Sequence, residues 1–215
     1  MADLIKNIIT QLYNGDDKQV ASLVQQALDS GMTASEVLSG GLICGMDEVG
    51  RDFKGGELFI PEVLLAARAM RAGMNILRPL LSKSDIPTTG KYLIGTVRGD
   101  LHDIGKNLVK MMLEGAGFEI IDLGTDVSAE TFVSAVRENQ PDILGMSALL
   151  TTTMPEMKVI INALEAAGLR DSVKIMVGGA PVTDNFAKAI GADAYSPEAA
   201  TAVDSARYLS RQIRG

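Results

Sequence analysis

His102 is the only histidine in the 215-residue chain, and Asp100 stands two positions before it in Gly99-Asp100-Leu101-His102-Asp103-Ile104-Gly105-Lys106-Asn107. In a short extended stretch, side chains at i and i+2 point the same way. That spacing lets the carboxylate hold one imidazole nitrogen while the other faces outward. Metal-ligating histidines commonly need such a partner, because it fixes the tautomer and raises basicity. Gly105 would let a bulky ligand approach the backbone where a helix begins. The same residues also suit a surface loop in which Asp100 and Asp103 cap that helix, and the local pattern leaves both readings open. Two further groups stand out: Ser147-Ala148-Leu149 with Thr151-Thr152-Thr153 behind it, and Gly178-Gly179. On local grounds the first reads as a hydroxyl-rich loop capping a helix at Pro155, and the second as a tight turn.

Each group follows a short apolar run. Such runs occur at Tyr92 to Val97, Phe118 to Leu123, Ile143 to Ser147 and Val173 to Val177, with a fifth, shorter one at Ala192 to Tyr195. Amphipathic helical stretches separate them, and a last helix is expected after Ser196-Pro197. Alternation of this kind predicts βαβ units, hence a parallel sheet covered on both faces. Five strands and five helices predict an α/β, flavodoxin-like (Rossmann-like) domain over residues 91–215. Ligands in such sheets bind beyond the carboxyl ends of the strands, where all three groups fall.

The first part of the chain has a different period. Leu4, Ile5, Ile8, Ile9 and Leu12 recur at helical spacing, as do Val20, Leu23, Val24, Ala27 and Leu28 after the Asn14-Gly15-Asp16 break. Thr33 and Glu36 have capping-box spacing, ahead of a third helix expected to run to about Val49. A turn at Lys54-Gly55-Gly56 follows, and Pro61 suits the first turn of a long helix reaching about Leu81. Residues 1–84 thus read as a four-helix bundle, joined to the sheet domain by a polar linker at 85–90.

Net charge −7 argues against nucleic-acid or anionic-membrane partners, which need a basic face. A lone cysteine, Cys44, excludes an internal disulfide framework and fits a reducing, cytoplasmic setting. No basic segment leads into an apolar run at the N-terminus, so no secretory leader is expected, and no apolar stretch reaches membrane-spanning length.

Taken together, Asp100-x-His102-x-x-Gly105, Ser147-x-Leu149 and Gly178-Gly179 resemble the cobalamin-binding signature. The longer Gly99 to Asn107 string is similar to that of B12-dependent methionine synthase and the methyltransferase corrinoid proteins. Phe53-Lys54-Gly55-Gly56-Glu57-Leu58-Phe59-Ile60-Pro61-Glu62-Val63 resembles the segment with which that family's helical domain covers its cofactor, so the likeness spans essentially the whole chain. The resemblance implies cobalamin or a related corrinoid as cofactor, with His102 as lower axial ligand to cobalt and Asp100 as its hydrogen-bond partner. It implies that Thr153, where methionine synthase has a serine, extends the relay, so that proton uptake tracks the cobalt oxidation state. Asp103, Ile104 and Gly105 complete the cofactor-binding motif. Ser147, Leu149, Thr151, Gly178 and Gly179 match positions lining a slot for the displaced nucleotide tail. Phe53 and Ile60 match residues that press on the upper corrin face.

The function so implied is that of a methyl carrier. Co(I) takes a methyl group from a donor on a substrate-specific methyltransferase, and methyl–Co(III) gives it to a second methyltransferase acting on tetrahydrofolate or coenzyme M. A reductive activase is a further expected partner. Two other classes share parts of the pattern: a B12-binding sensor or regulatory module, and the cobalamin subunit of a radical isomerase. The acidic charge without a basic recognition helix opposes the first, and the helical half opposes the second.

Overall fold

The computed structural model describes residues 2–81 and 89–214, and the expected linker at 85–90 lies outside them except for Thr89 and Gly90. Two compact units divide the described chain: residues 2–81 with 115–117, and residues 89–114 with 118–214.

The first unit is helical. Helix α1 (Ala2–Tyr13) and helix α2 (Asp17–Asp29) bury the expected stripes through Ile8, Leu12, Val20, Val24 and Ala27. Asp16 caps α2 by accepting from the Gln19 amide. The Thr33–Glu36 capping box forms as its spacing predicts and opens α3 (Ala34–Val37). A π-helical stretch, Leu38–Ile43, then leads directly into α4 (Cys44–Gly55). This helix outruns the expected end at Val49. It stops only where Gly56, at φ +78, takes the left-handed cap. Helix α5 (Ile60–Leu77) starts with Pro61 in its first turn, and Glu62 reaches back to the Phe59 amide. A 3-10 turn, Arg78–Leu80, follows.

The second unit alternates strand and helix as the apolar runs predict. Its strands are β1 (Gly90–Thr96), β2 (Phe118–Asp122), β3 (Ile143–Ser147), β4 (Lys174–Gly178) and β5 (Ala194–Tyr195). Its helices are α6 (Ile104–Gly115), α7 (Ala129–Asn139), α8 (Pro155–Ala166), α9 (Asp184–Ile190) and α10 (Ala199–Arg214). The sheet is parallel throughout, in the order β2-β1-β3-β4-β5. Strand order therefore reverses between β1 and β3, the place where doubly wound sheets bind ligands. Strand β1 begins at Gly90, a residue the sequence reading gave to the linker. Phe132, Leu144, Met157, Ile160, Ile161 and Ile175 are fully buried against the sheet and anchor the core.

One ion pair fixes the start of α6. The Lys106 side chain is 2% exposed and donates to Asp122 Oδ1 at 2.6 Å and Asn107 Oδ1 at 3.2 Å. Lys110 reaches Asp122 Oδ2 at 2.9 Å, and the Gly124 amide donates to Oδ1. Burial alone would raise the Asp122 pKa, but the two ammonium groups and the amide hold it at about 2.

Asp122→Asn should thus leave the buried Lys106 ammonium with only neutral amide oxygens as side-chain acceptors and no opposing charge. Urea denaturation at neutral pH should show a loss of about 3 kcal/mol. Because the folded carboxyl sits below its ordinary 3.8, its stabilisation is complete above that pH and fades as pH falls towards about 2. The variant should lose this part of the acid limb, giving a shallower decline than the wild type.

Candidate functional site

The register brings three strand ends level, pairing Thr96 with Ser147 and Ser147 with Gly178. The loops that follow carry the residues singled out by sequence. After β1 the backbone turns at Arg98-Gly99 and runs without regular structure to Asp103. Asp100 and His102 lie in this loop, outside any strand, and Asp100 Oδ1 accepts both the His102 amide at 3.1 Å and His102 Nδ1 at 2.8 Å. The shared carboxylate oxygen produces the juxtaposition.

Asp100 itself is completely buried. Its other oxygen, Oδ2, accepts from the Leu149 amide at 2.7 Å, the Leu150 amide at 3.3 Å and the Thr153 hydroxyl at 2.8 Å. Burial favours the neutral acid, but these donors and the His102 pair outweigh it and hold the carboxyl well below the usual range. An ionised carboxylate can only accept. Nδ1 of His102 therefore carries a hydrogen, which leaves Nε2 as the ring nitrogen that could offer a lone pair to a metal. The imidazole is 53% exposed.

Thr153 is buried, and its hydroxyl lies 2.8 Å from Asp100 and 3.0 Å from the Leu150 carbonyl. With one hydrogen to share, the charged acceptor is the stronger claimant. The alternative in which the threonine run caps α8 is not what forms: Met154 occupies the cap position and supplies no side-chain bond. Nor does Asp100 cap α6, since its oxygens are taken up by His102 and the loop after β3. Asp103 does occupy the position before α6, where its carbonyl receives the Asn107 amide and its carboxylate the Asn107 side chain.

The remaining candidates divide by what surrounds them. Ser147 ends β3, half-buried; Leu149 and Thr151 are exposed in the following loop. Ile104 and Gly105 open α6 in solvent, and a Cβ at Gly105 would meet nothing within 4 Å. Gly179 is the opposite case. Its φ is +127, and a Cβ there would land on the Ala148 carbonyl oxygen, so the fold itself demands glycine. Gly178 is limited only by the Ser196 carbonyl, 3.1 Å from a Cβ. Phe53, half-buried, lies in the last turn of α4, and exposed Ile60 begins α5; both belong to the helical unit.

Sequence reasoning missed Leu101 and Leu150. Leu101 is 73% exposed and Ile104 78%, while Leu149 and Leu150 are each 41% exposed. Three large apolar side chains thus sit on the loops that hold an outward imidazole, and a fourth, Ile104, opens α6 beside them in sequence. The signal was present as leucines flanking the motif, but nothing in their spacing marked them as solvent-facing. Thr96 was missed too: its buried hydroxyl donates to the His102 carbonyl at 3.0 Å.

These features fit a flat, largely apolar macrocycle with a metal at its centre. No cluster of three or more His, Cys, Asp or Glu able to hold a metal ion exists among the described residues. A metal meeting His102 would therefore bring most of its own ligands, and the apolar side chains would gain cover from a hydrophobic ring. A doubly wound sheet with one poised imidazole at its switch point is the arrangement that the resemblance to corrinoid proteins implies.

Comparison with known proteins agrees. The B12 binding domain model matches residues 90–206, and a second model of that description matches residues 4–78. The chain belongs to the B12-binding family, and its cofactor is a corrinoid. It is 43% identical to a corrinoid protein of Desulfitobacterium hafniense (strain Y51), over 96% of this chain and 97% of that one. It is 46% identical to trimethylamine corrinoid protein 2 of Methanosarcina mazei, over 92% and 90% respectively. A chain of the methanol:cobalamin methyltransferase complex of Methanosarcina barkeri superposes with a TM-score of 0.89 at 31% identity, covering 97% of this chain and 80% of that one. No described helix is long and apolar enough to cross a membrane.

Thr153→Val removes a buried hydroxyl while nearly keeping its shape. Stability at neutral pH should drop by about 1–3 kcal/mol, and Thr153→Ser should restore most of it. The lost donor also raises the folded Asp100 pKa towards its unfolded value. Acid unfolding of the valine variant, followed by circular dichroism, should therefore begin at higher pH than in wild type.

Proposed function

We propose that this corrinoid protein is the methyl-carrying component of a multi-protein methyltransferase system. The observation that carries the reading is the Asp100–His102 pair, which fixes Nδ1 as donor and leaves Nε2 free among exposed apolar side chains. When bound, the corrinoid supplies a cobalt that accepts and gives up a methyl group. His102 would hold that metal from one face through Nε2. Asp100, ionised and buried, pins the ring against rotation and strengthens its electron donation. Thr153 and the Leu149 amide in turn keep the carboxylate in place. Leu101, Ile104 and Leu149 would cover the macrocycle's apolar surface, and Gly105 would give it room. Ser147, Thr151, Gly178 and Gly179 are assigned to the nucleotide tail, and Phe53 and Ile60 to sheltering the reactive face from water.

The carrier reading requires other proteins to present the methyl donor and the methyl acceptor. A substrate-specific methyltransferase, an acceptor methyltransferase using tetrahydrofolate or coenzyme M, and a reductive activase fill those roles. Relatives named for trimethylamine and a structural neighbour named for methanol support this division of labour. The cytoplasm is the compartment that suits a reduced cofactor and one free cysteine.

Reconstitution with hydroxocobalamin, reduction by one electron and electron paramagnetic resonance test the assignment. Wild-type protein should show hyperfine splitting from one axial nitrogen, and His102→Ala should lose it. An unchanged axial-nitrogen signal in the variant overturns the role of His102. The fully reduced holoprotein should also retain radiolabelled methyl from iodomethane through gel filtration. Corrinoid binding without retained label would contradict the carrier reading.

A further inference from the structure

We infer that Asp126, which lies outside every motif above, is a positioning residue that sets the placement of the His102 imidazole. Among the described residues only two non-glycines have positive φ, Asp126 at +55 and Gln140 at +47. Gln140 is accounted for as the left-handed cap of α7. Asp126 ends no helix. It lies in the loop after β2, where that loop rejoins β1 through the Val97–Val127 bridge and the bond from the Val127 amide to the Thr96 carbonyl.

Its left-handed backbone aims two groups at the turn carrying His102. Asp126 Oδ1 accepts the Gly99 amide at 2.7 Å, and the Asp126 amide donates to the Asp100 carbonyl at 3.0 Å. Gly99 is itself at φ +77, so its amide direction is a property of this turn and not of a strand. Between them the two bonds grip the peptide group that enters Gly99 and the one that leaves Asp100, so they bracket the two-residue turn. The Asp100 carboxylate is held from the opposite side by the Leu149 amide and the Thr153 hydroxyl. His102 inherits its place from Asp100, so an error at the turn passes directly to the imidazole.

A left-handed non-glycine residue is disfavoured, and short polar Asp and Asn tolerate it best. Strain of that kind persists where the surroundings determine it, and here the surroundings are the metal-facing turn. The inference rests on the corrinoid reading only for its purpose, because the grip belongs to the chain without ligand.

Substitutions separate backbone from acceptor. Asp126→Gly keeps the left-handed conformation and loses the oxygen, whereas Asp126→Asn keeps both and loses only the charge. The full chain, 15N-labelled and without corrinoid, is compared at one fixed pH. Two signals are read: hydrogen exchange of the Gly99 amide, and the ring-nitrogen shifts of the single histidine, which report its tautomer. In Asp126→Gly, exchange at Gly99 should speed by about tenfold, and the Nδ1–H tautomer should give way to a mixture. Asp126→Asn should restore both, and hydroxocobalamin affinity should follow the same order. Wild-type exchange and tautomer in Asp126→Gly overturn the proposal. So does an Asn variant that retains the wild-type amide spectrum elsewhere yet matches Gly at these two signals. If the ligand-free signals change as stated and no variant, wild type included, binds hydroxocobalamin, the carrier reading fails while the positioning role stands.

Discussion

Everything at the site turns on one buried carboxylate. Asp100 is removed from water completely, which by itself would neutralise it. It stays ionised because donors from two loops converge on it: Oδ1 takes the His102 amide and ring, Oδ2 the Leu149 and Leu150 amides and the Thr153 hydroxyl. A carboxylate has about four lone-pair directions, so it is saturated. Saturation explains both its charge and its rigidity. Each donor comes from a loop that would otherwise have a buried or half-buried group to satisfy, so the same bonds that charge Asp100 also weld the loop after β1 to the loop after β3.

That weld is possible only in this strand order. Parallel neighbours with βαβ connections put all their carboxyl ends at one edge, and the reversal between β1 and β3 leaves a crevice there with no crossover helix above it. The register pairing Thr96 with Ser147 sets the two loops at the same height. A shift of one residue would reverse the faces of the side chains and carry Leu149 N away from Asp100. The buried Lys106–Asp122 pair secures the other side of the loop by tying the first turn of α6 to the end of β2.

Much of this was legible in the sequence because the signals were periodic or compositional. Apolar runs located all five strands to within a few residues, and Thr33–Glu36 announced its own capping box. Spacing also joined Asp100 to His102, but it did not reveal that one carboxylate oxygen takes both the His102 amide and its ring nitrogen. Helix α4 overran its expected end because Gly55 is tolerated in helical conformation and only Gly56 adopts the left-handed one. Local pattern made Thr153 part of a loop capping α8, and only the resemblance pointed it at Asp100; no one-dimensional pattern separates those roles. Asp126 was invisible for a deeper reason. Its importance lies in a backbone angle and in bonds to Gly99 and Asp100, a pairing of distant segments that composition does not record.

The exposed leucines and isoleucine give the carrier reading its energetic sense. Folding normally leaves large apolar side chains scattered singly, yet Leu101, Leu149 and Leu150 stand on the loops that hold one imidazole and Ile104 opens the helix that follows it. Covering a Leu or Ile fully contributes roughly 1.5–3 kcal/mol, so completing the burial of even two such residues rivals one strong hydrogen bond or more. Affinity drawn from that surface would not depend on a contact at His102 Nε2. A carrier that relied on the imidazole alone to hold its cofactor would risk losing it whenever that contact loosened, whereas apolar cover would keep the ring in place.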